Sequence, residues 1–395
     1  MNQDFAYLSQ GKLHRLSAGG DFRPIESAFG RSLRDRAAQI HNRHAWKTQG
    51  RGAQFMYGMG APAQGRDPGE FRVAITSVAP GPESGALFYT LETDEVAGIF
   101  TLDASGFEQR LFHTADFRVR HLAASPDRGE VAVSMVHPNF CTNIAVMKAD
   151  GAGLNEVTEG ESVDLSPAWV SGGGPRRLVF QSAGIGRDAS GRFTRLGPSA
   201  IQSLNLDSGD LETIAEDPAA DLLGPRMLAD GTLLYIRRPY ESGAVKVSPL
   251  TILKDTVLFP FRMVHAIFQF FNFFSMRYTG KPLTTSRGGA QQRQQDLKQM
   301  MIWGNLIDAG KAMEGADRSD SEAPSMVPAS WQLMRRAPGE ATPETVAKGV
   351  LSFDVNAAGD MFYSNGSAIY RLASGARKPE RVLKSNLIEQ VVALG

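Results

Sequence analysis

The stretch Val163–Ser182, VDLSPAWVSGGGPRRLVFQS, constrains this chain most, because looser versions of it return along the sequence. It has the pattern of a short strand, a corner at Trp169, a Gly/Pro-rich turn and a second apolar strand. A unit of that size cannot bury its own apolar face. A chain that repeats it must therefore stack the copies against one another.

Strand and turn signals group into six such units. The first holds Phe5–Ser9, Leu13–Ser17 and Phe22–Glu26, and the next four begin near Ala74, Val119, Val163 and Leu222. The sixth runs from Val350 to Leu383. Each unit supplies four strands except the first, which lacks its opening strand, while Leu387–Leu394 (LIEQVVAL) is left over at the C-terminus. Placing LIEQVVAL beside Phe5–Ser9 completes the first unit and removes the open sheet edges. The expectation is an all-β fold over residues 1–395: a six-bladed β-propeller closed by the C-terminal strand, with helical insertions on one face. An open β-sandwich would leave LIEQVVAL without a partner.

Asp164, Pro167, Ala168, Trp169 and Ser171 resemble the TolB-like, WD40-like (PD40-type) propeller repeat, with Gly172-Gly173-Gly174 where that repeat has a Pro-Asp-Gly turn. The resemblance implies a fold and no particular activity. TolB-type proteins are periplasmic and carry an additional N-terminal domain. The N-terminus here, MNQDFAYLSQGKLHRL, has neither a basic start nor an apolar run, so the expected location is cytoplasmic.

Three long connections interrupt the array, at residues 28–72, 183–200 and 238–330. In a four-stranded meander the second-to-third and blade-to-blade connections emerge on the same side of the disc. All three insertions should therefore crowd one face, where loops on a rigid scaffold carry function. A short helix is expected over Ser32–Trp46 and another over Gln291–Lys311. The segment Leu250–Tyr278 is rich in phenylalanine. Read as a helix after Pro260, it leaves Arg262, His265, Gln269 and Asn272 as one narrow polar stripe. Phe259, Phe261, Phe268, Phe270, Phe271 and Phe274, with Arg277 and Lys281 beyond them, are candidate membrane or partner contacts, peripheral on the inner face of a membrane. Burial on the propeller itself, or in an oligomer contact, is the alternative. A single bilayer crossing conflicts with the fold, because Trp331–Arg335 must return to pair with Leu233–Arg237.

The chemistry is sparse. Lys plus Arg and Asp plus Glu number 42 each, so no net field draws the chain to nucleic acid. No G-x-S-x-G elbow occurs, the single cysteine is Cys141, and His41 and His44 lack a third ligand nearby. No cofactor is expected. Asp116, Asp164 and Asp221 each fall at the start of an innermost strand and would ring the mouth of the central channel, a possible seat for a cation or a basic peptide. Local turn capping is the alternative for each. The functional expectation is a non-enzymatic scaffold that presents an elaborated face to a protein partner. A metal-dependent hydrolase or lactonase using the channel-mouth carboxylates is the second reading.

Overall fold

The structure is a computed structural model. It describes residues 4–17, 19–48, 73–93, 96–172, 174–240, 299–302, 305–308, 323–385 and 387–394. Two compact units are present, one made of residues 1–240 and 311–395 and the other of residues 241–310.

The first unit is a six-bladed propeller. Blade 1 runs outward from Ile388–Ala393 through Phe5–Ser9 and Lys12–Leu16 to Phe22–Ile25, so the last strand of the chain opens the first blade. Phe5 faces Ala393 and Leu8 faces Gln390 in this antiparallel pairing. The other inner strands are Val73–Pro80, Arg118–Ala124, Ser162–Trp169, Ala220–Met227 and Ser352–Val355. Each touches the next in that order, and Ser352–Val355 returns to Ile388–Ala393, which closes the ring. Blades 3 and 4 are also bridged by one parallel pairing, Thr142 with Val163.

The hydrophobic core is divided into seams between neighbouring blades. Ala6, Leu8 and Leu13 of blade 1 meet Tyr89, Leu91 and Phe100 of blade 2. On the other flank of blade 1, Phe5, Tyr7, Ile388 and Val391 meet Phe362 and Ile369 of blade 6. Every blade is thus covered on both sides, which explains why Phe5–Ser9 is buried throughout. Outer strands are exposed and polar, as in Glu344–Lys348 (ETVAK) and Glu380–Lys384 (ERVLK), and charged edges of this kind resist strand addition.

Three inner strands carry a bulge with a residue in the left-handed region: His121 at φ 52°, Ser166 at 54° and Gly224 at 57°. A bulge re-aims the backbone. Here it turns amides toward the preceding blade: Leu122 N donates to Ser77 Oγ (2.9 Å) and Gly224 N to Gln181 Oε1 (2.8 Å). Trp169 of the repeat signature does the same with its side chain, donating Nε1–H to Ala123 O at 3.0 Å. The repeat's conspicuous tryptophan is a peg between blades 3 and 4.

The helix of the first insertion spans Ala28–Thr48, four residues earlier at its start than the expected Ser32. Its first turn contains no acidic residue. The missing carboxylate comes from blade 2: Glu108 accepts from the amides of Ala28 (3.0 Å) and Phe29 (2.9 Å), and Ser27 Oγ accepts from Gly30 N (3.0 Å). A cap supplied from 80 residues away leaves no local signal.

Residues 183–200 are not a plain loop. The second strand of blade 4 runs on to Arg187 and folds back through Phe193–Leu196, pairing Ile185 with Leu196 as a projecting arm. In the second unit, residues 299–302 pair antiparallel with 305–308. This corrects the expected helix over Gln291–Lys311. Met300, Met301, Ile302, Leu306 and Ile307 make two short apolar runs, which suit a hairpin as well as a helix at this length.

Candidate functional site

The connections between second and third strands, and between blades, leave the disc on one side. That side carries the helix at Ala28, the arm of blade 4, and the chain ends Tyr240 and Ala323 that lead into residues 241–322. The opposite side is built from tight turns. Asp127 Oδ1 accepts from Gly129 N at 3.1 Å, and Asp230 Oδ1 accepts from Thr232 N at 2.8 Å.

The three aspartates expected at the channel mouth occupy three different environments. Asp116 is exposed and held in its turn by Thr114, whose Oγ1 accepts from the Asp116 amide at 3.0 Å. Asp164 is buried and accepts from Ser182 Oγ at 2.6 Å. Asp221 is buried too. Its Oδ1 accepts from Ser199 N and its Oδ2 from Arg238 Nε, both at 2.9 Å. Each carboxylate is engaged by its own neighbours, and among the described residues no three His, Cys, Asp or Glu side chains group as a metal site.

Burial pushes the Asp164 carboxyl above the usual range, against the opposing hydroxyls of Ser182, Thr158 and Ser162. A raised pKa in the folded state favours the protonated form. Its contribution to stability is therefore present below the ordinary carboxylate pKa and is lost as pH rises through the folded-state value. Asp164→Asn keeps an oxygen for Ser182 and cannot ionise. The Tm of this variant relative to the natural chain should rise between pH 4 and pH 7. A difference that stays flat across that range would show that Asp164 does not titrate with folding.

One cleft lies on the elaborated side, where the end of blade 2 meets blade 3. It is an open depression of about 650 Å³ lined by Phe112, Phe117, Met135 and Leu154 together with the polar residues Asp116 and Glu156. The rings of Phe112 and Phe117 stack at 5.9 Å, and His137 lies 6.0 Å from Phe117. His137 opens the turn to Cys141, held by His137 N to Cys141 O (2.9 Å) and Phe140 N to His137 O (3.1 Å). Phe140 sits in that turn at φ 71° and is 69% exposed. It meets Phe193 from the arm of blade 4, itself 48% exposed, at a centroid distance of 6.2 Å.

Among the expected site residues that the structure describes, Asp116 alone lines this cleft. The others come from segments far apart in sequence. The available signal was the pair of phenylalanines in second-to-third connections, Phe140 and Phe193, where turn positions usually favour Gly, Pro, Asn, Asp or Ser. Phe259, Phe261, Phe268, Phe270, Phe271, Phe274, Arg277 and Lys281 lie outside the described residues. No helix among the described residues is long and apolar enough to cross a membrane.

No family model and no curated protein sequence matches the chain. Solved structures do. A nidogen–laminin complex chain aligns over 98% of this chain and 97% of its own length at 8% identity and a TM-score of 0.50. TolB from Acinetobacter baumannii aligns over 98% of this chain at 9% identity and a TM-score of 0.49, but the match spans 65% of that protein, under two thirds of its length. The tricorn protease aligns over 97% of this chain and 33% of its own, at 10% identity and a TM-score of 0.44. At such identities the likeness is one of fold.

Proposed function

We infer that the chain is a non-enzymatic binding scaffold whose elaborated propeller face receives a protein partner. One observation carries this reading: Phe140 and Phe193, from different blades, present adjoining exposed rings on the side where the long connections emerge. Paired exposed aromatics on rigid turns supply contact area at low entropic cost and concentrate at protein interfaces. The opposite face exposes Phe107, 66% accessible, with no aromatic neighbour among the described residues. Contact of the Phe-rich segment 250–278 with a membrane surface or the same partner forms part of this reading on sequence grounds.

The test is quantitative affinity enrichment from the source cells. It compares the full chain, a Phe140→Ser/Phe193→Ser double variant, and Phe107→Ser as a control on the opposite face. The proposal expects a protein held by the natural chain and the control but lost from the double variant. Equal retention by all three would overturn it.

A further inference from the structure

We propose that Asn365-Gly366 is a deamidation site that the fold holds unreactive, and that its reaction irreversibly unlatches the chain where it returns from residues 241–322. The site does not depend on the scaffold reading above. Asn365-Gly366 is the single Asn-Gly pair in the sequence. At such a pair the amide nitrogen of the glycine, with no Cβ to hinder it, attacks the asparagine Cγ. That nitrogen loses its proton to solvent, the new N–C bond closes a succinimide ring, and Nδ2 takes up a proton and leaves as ammonia. Water then opens the ring at either carbonyl, to aspartate or to isoaspartate.

Every group in that reaction is already engaged. Asn365 is 7% exposed and sits in the turn from Met361–Ser364 to Ala368–Leu372. Its Oδ1 accepts from the amides of Ser367 (3.0 Å) and Ala368 (2.8 Å). These two donors fix the orientation of the carboxamide, so Nδ2 is the atom that donates to Ala323 O at 3.0 Å. The attacking nitrogen, Gly366 N, donates its hydrogen to Ser364 Oγ at 2.9 Å. Closing the ring requires the carboxamide to turn its face to Gly366 N and to release ammonia. The bonds to Ala323, Ser367 and Ala368 must open first.

The turn also holds two other parts of the chain. Met326 N donates to Asn365 O at 2.8 Å and Ser367 Oγ to Pro324 O at 2.5 Å. A Cβ on Gly366 would lie 2.7 Å from Met326 Cβ, so residues 323–326 rest directly on the turn as a strap. The ring-closing strand is tied to the same turn, with Ile388 N donating to Gly366 O at 2.8 Å. After deamidation to aspartate a carboxylate oxygen stands where Nδ2 stood, acceptor against acceptor at Ala323 O, and a charge is buried. Isoaspartate instead adds a methylene to the backbone of the turn. In either product the strap loses its seat. A local opening that closes again in the unmodified chain becomes permanent.

The experiment incubates the full chain at neutral pH, in buffer and in urea, and follows Asn365 by peptide mass spectrometry. Deamidation should be about tenfold or more slower in the folded chain. Ser367→Ala removes the bond to Pro324 and should speed the reaction about fivefold in buffer, with no effect in urea. Hydrogen exchange then compares residues 323–331 in the natural chain, in its deamidated fraction isolated by ion exchange, in Asn365→Asp, and in Asn356→Asp. Asn356 Oδ1 likewise accepts from two amides, Ala358 N and Asp360 N, but in the turn between the first two strands of blade 6. Exchange at Met326 should rise about tenfold in the deamidated fraction and in Asn365→Asp, and stay unchanged in Asn356→Asp. If Asn365→Asp does not fold, the deamidated fraction carries the comparison. Equal rates in buffer and in urea, or a Ser367→Ala rate equal to the natural one, would overturn protection by the strap. Unchanged exchange at 323–331 after deamidation, an equal rise in Asn356→Asp, or loss of the cooperative melt as a whole would overturn the latch.

Discussion

A chain ending at residue 386 should fail to fold. Deleting 387–395 removes the inner strand of blade 1 and, with it, two seams at once. Ile388, Val391 and Ala393 leave the contact with Phe362 and Ile369, and Val392 leaves the contact with Tyr89 and Phe100. It also strips Phe5–Ser9 of one of its two ladders. Phe5, Ala6, Tyr7 and Leu8 are each at most 1% exposed in the closed ring, and the deletion would present them as an apolar edge strand. The expected result is recovery in inclusion bodies, or a soluble product without a cooperative melt. Val391→Asp, burying a charge at a position 1% exposed, should cost several kcal/mol. That is a large part of the about 5–15 kcal/mol that holds a domain folded. A permuted chain distinguishes loss of the strand from damage to the terminus. Leu394 N donates to Asp4 O at 3.0 Å, so residues 387–394 can be joined ahead of Asp4 by a short hairpin linker. Placed there, the strand should restore the melt. A truncated chain that melts like the whole one would mean the ring does not depend on this closure.

The closing strand was legible because its evidence is arithmetic. Six units of four strands need one more than the N-terminal part supplies, and LIEQVVAL has the apolar positions to fill it. Elements whose partners are distant were less legible. The helix start at Ala28 depends on Glu108, and the bulge at His121 places a non-glycine residue at positive φ where the next amide, Leu122 N, reaches Ser77 on another blade. The arm of blade 4 looked like a loop, since Gly184, Gly186 and Gly191 interrupt its alternation. The site was least legible. Phe112, Phe117, Met135 and Glu156 are brought to one cleft by the packing of blade 2 on blade 3, and no local pattern records that. Asp164 and Asp221 show the converse. Their places at inner strand starts were correct, yet the same places lie beneath neighbouring chain, where a carboxylate is consumed by structural donors.

Asp221 yields the second large effect. Its pair with Arg238 is 2.9 Å long and both side chains are 8% exposed, while the Arg238 guanidinium also lies 5.1 Å over the ring of Trp331. Arg238 ends the strand that precedes the 241–322 segment, and Trp331 begins the return from it. The amides of Gly349 and Val350 donate to Trp331 O at 2.7 and 3.2 Å. The Asp221–Arg238–Trp331 contact therefore clamps both ends of the insertion to the body of blade 5. Asp221→Ala removes the carboxylate from a buried guanidinium and should cost about 3–5 kcal/mol. With an unfolding entropy of about 2.1 cal/mol/K per residue, this corresponds to a fall in Tm of roughly 4–7 °C. The double change Asp221→Leu/Arg238→Met replaces the pair by apolar groups and should recover part of the loss, since a desolvated ion pair contributes little over well-packed hydrocarbon while the buried Ser199 amide still loses its acceptor. A carboxylate serving as a cation ligand at the channel mouth would behave differently: Asp221→Ala would leave the Tm in chelator unchanged and abolish only the stabilisation by added Ca²⁺. The first outcome is independent of the metal and the second exists only in its presence, so one melting series with and without Ca²⁺ decides between a clamp and a ligand.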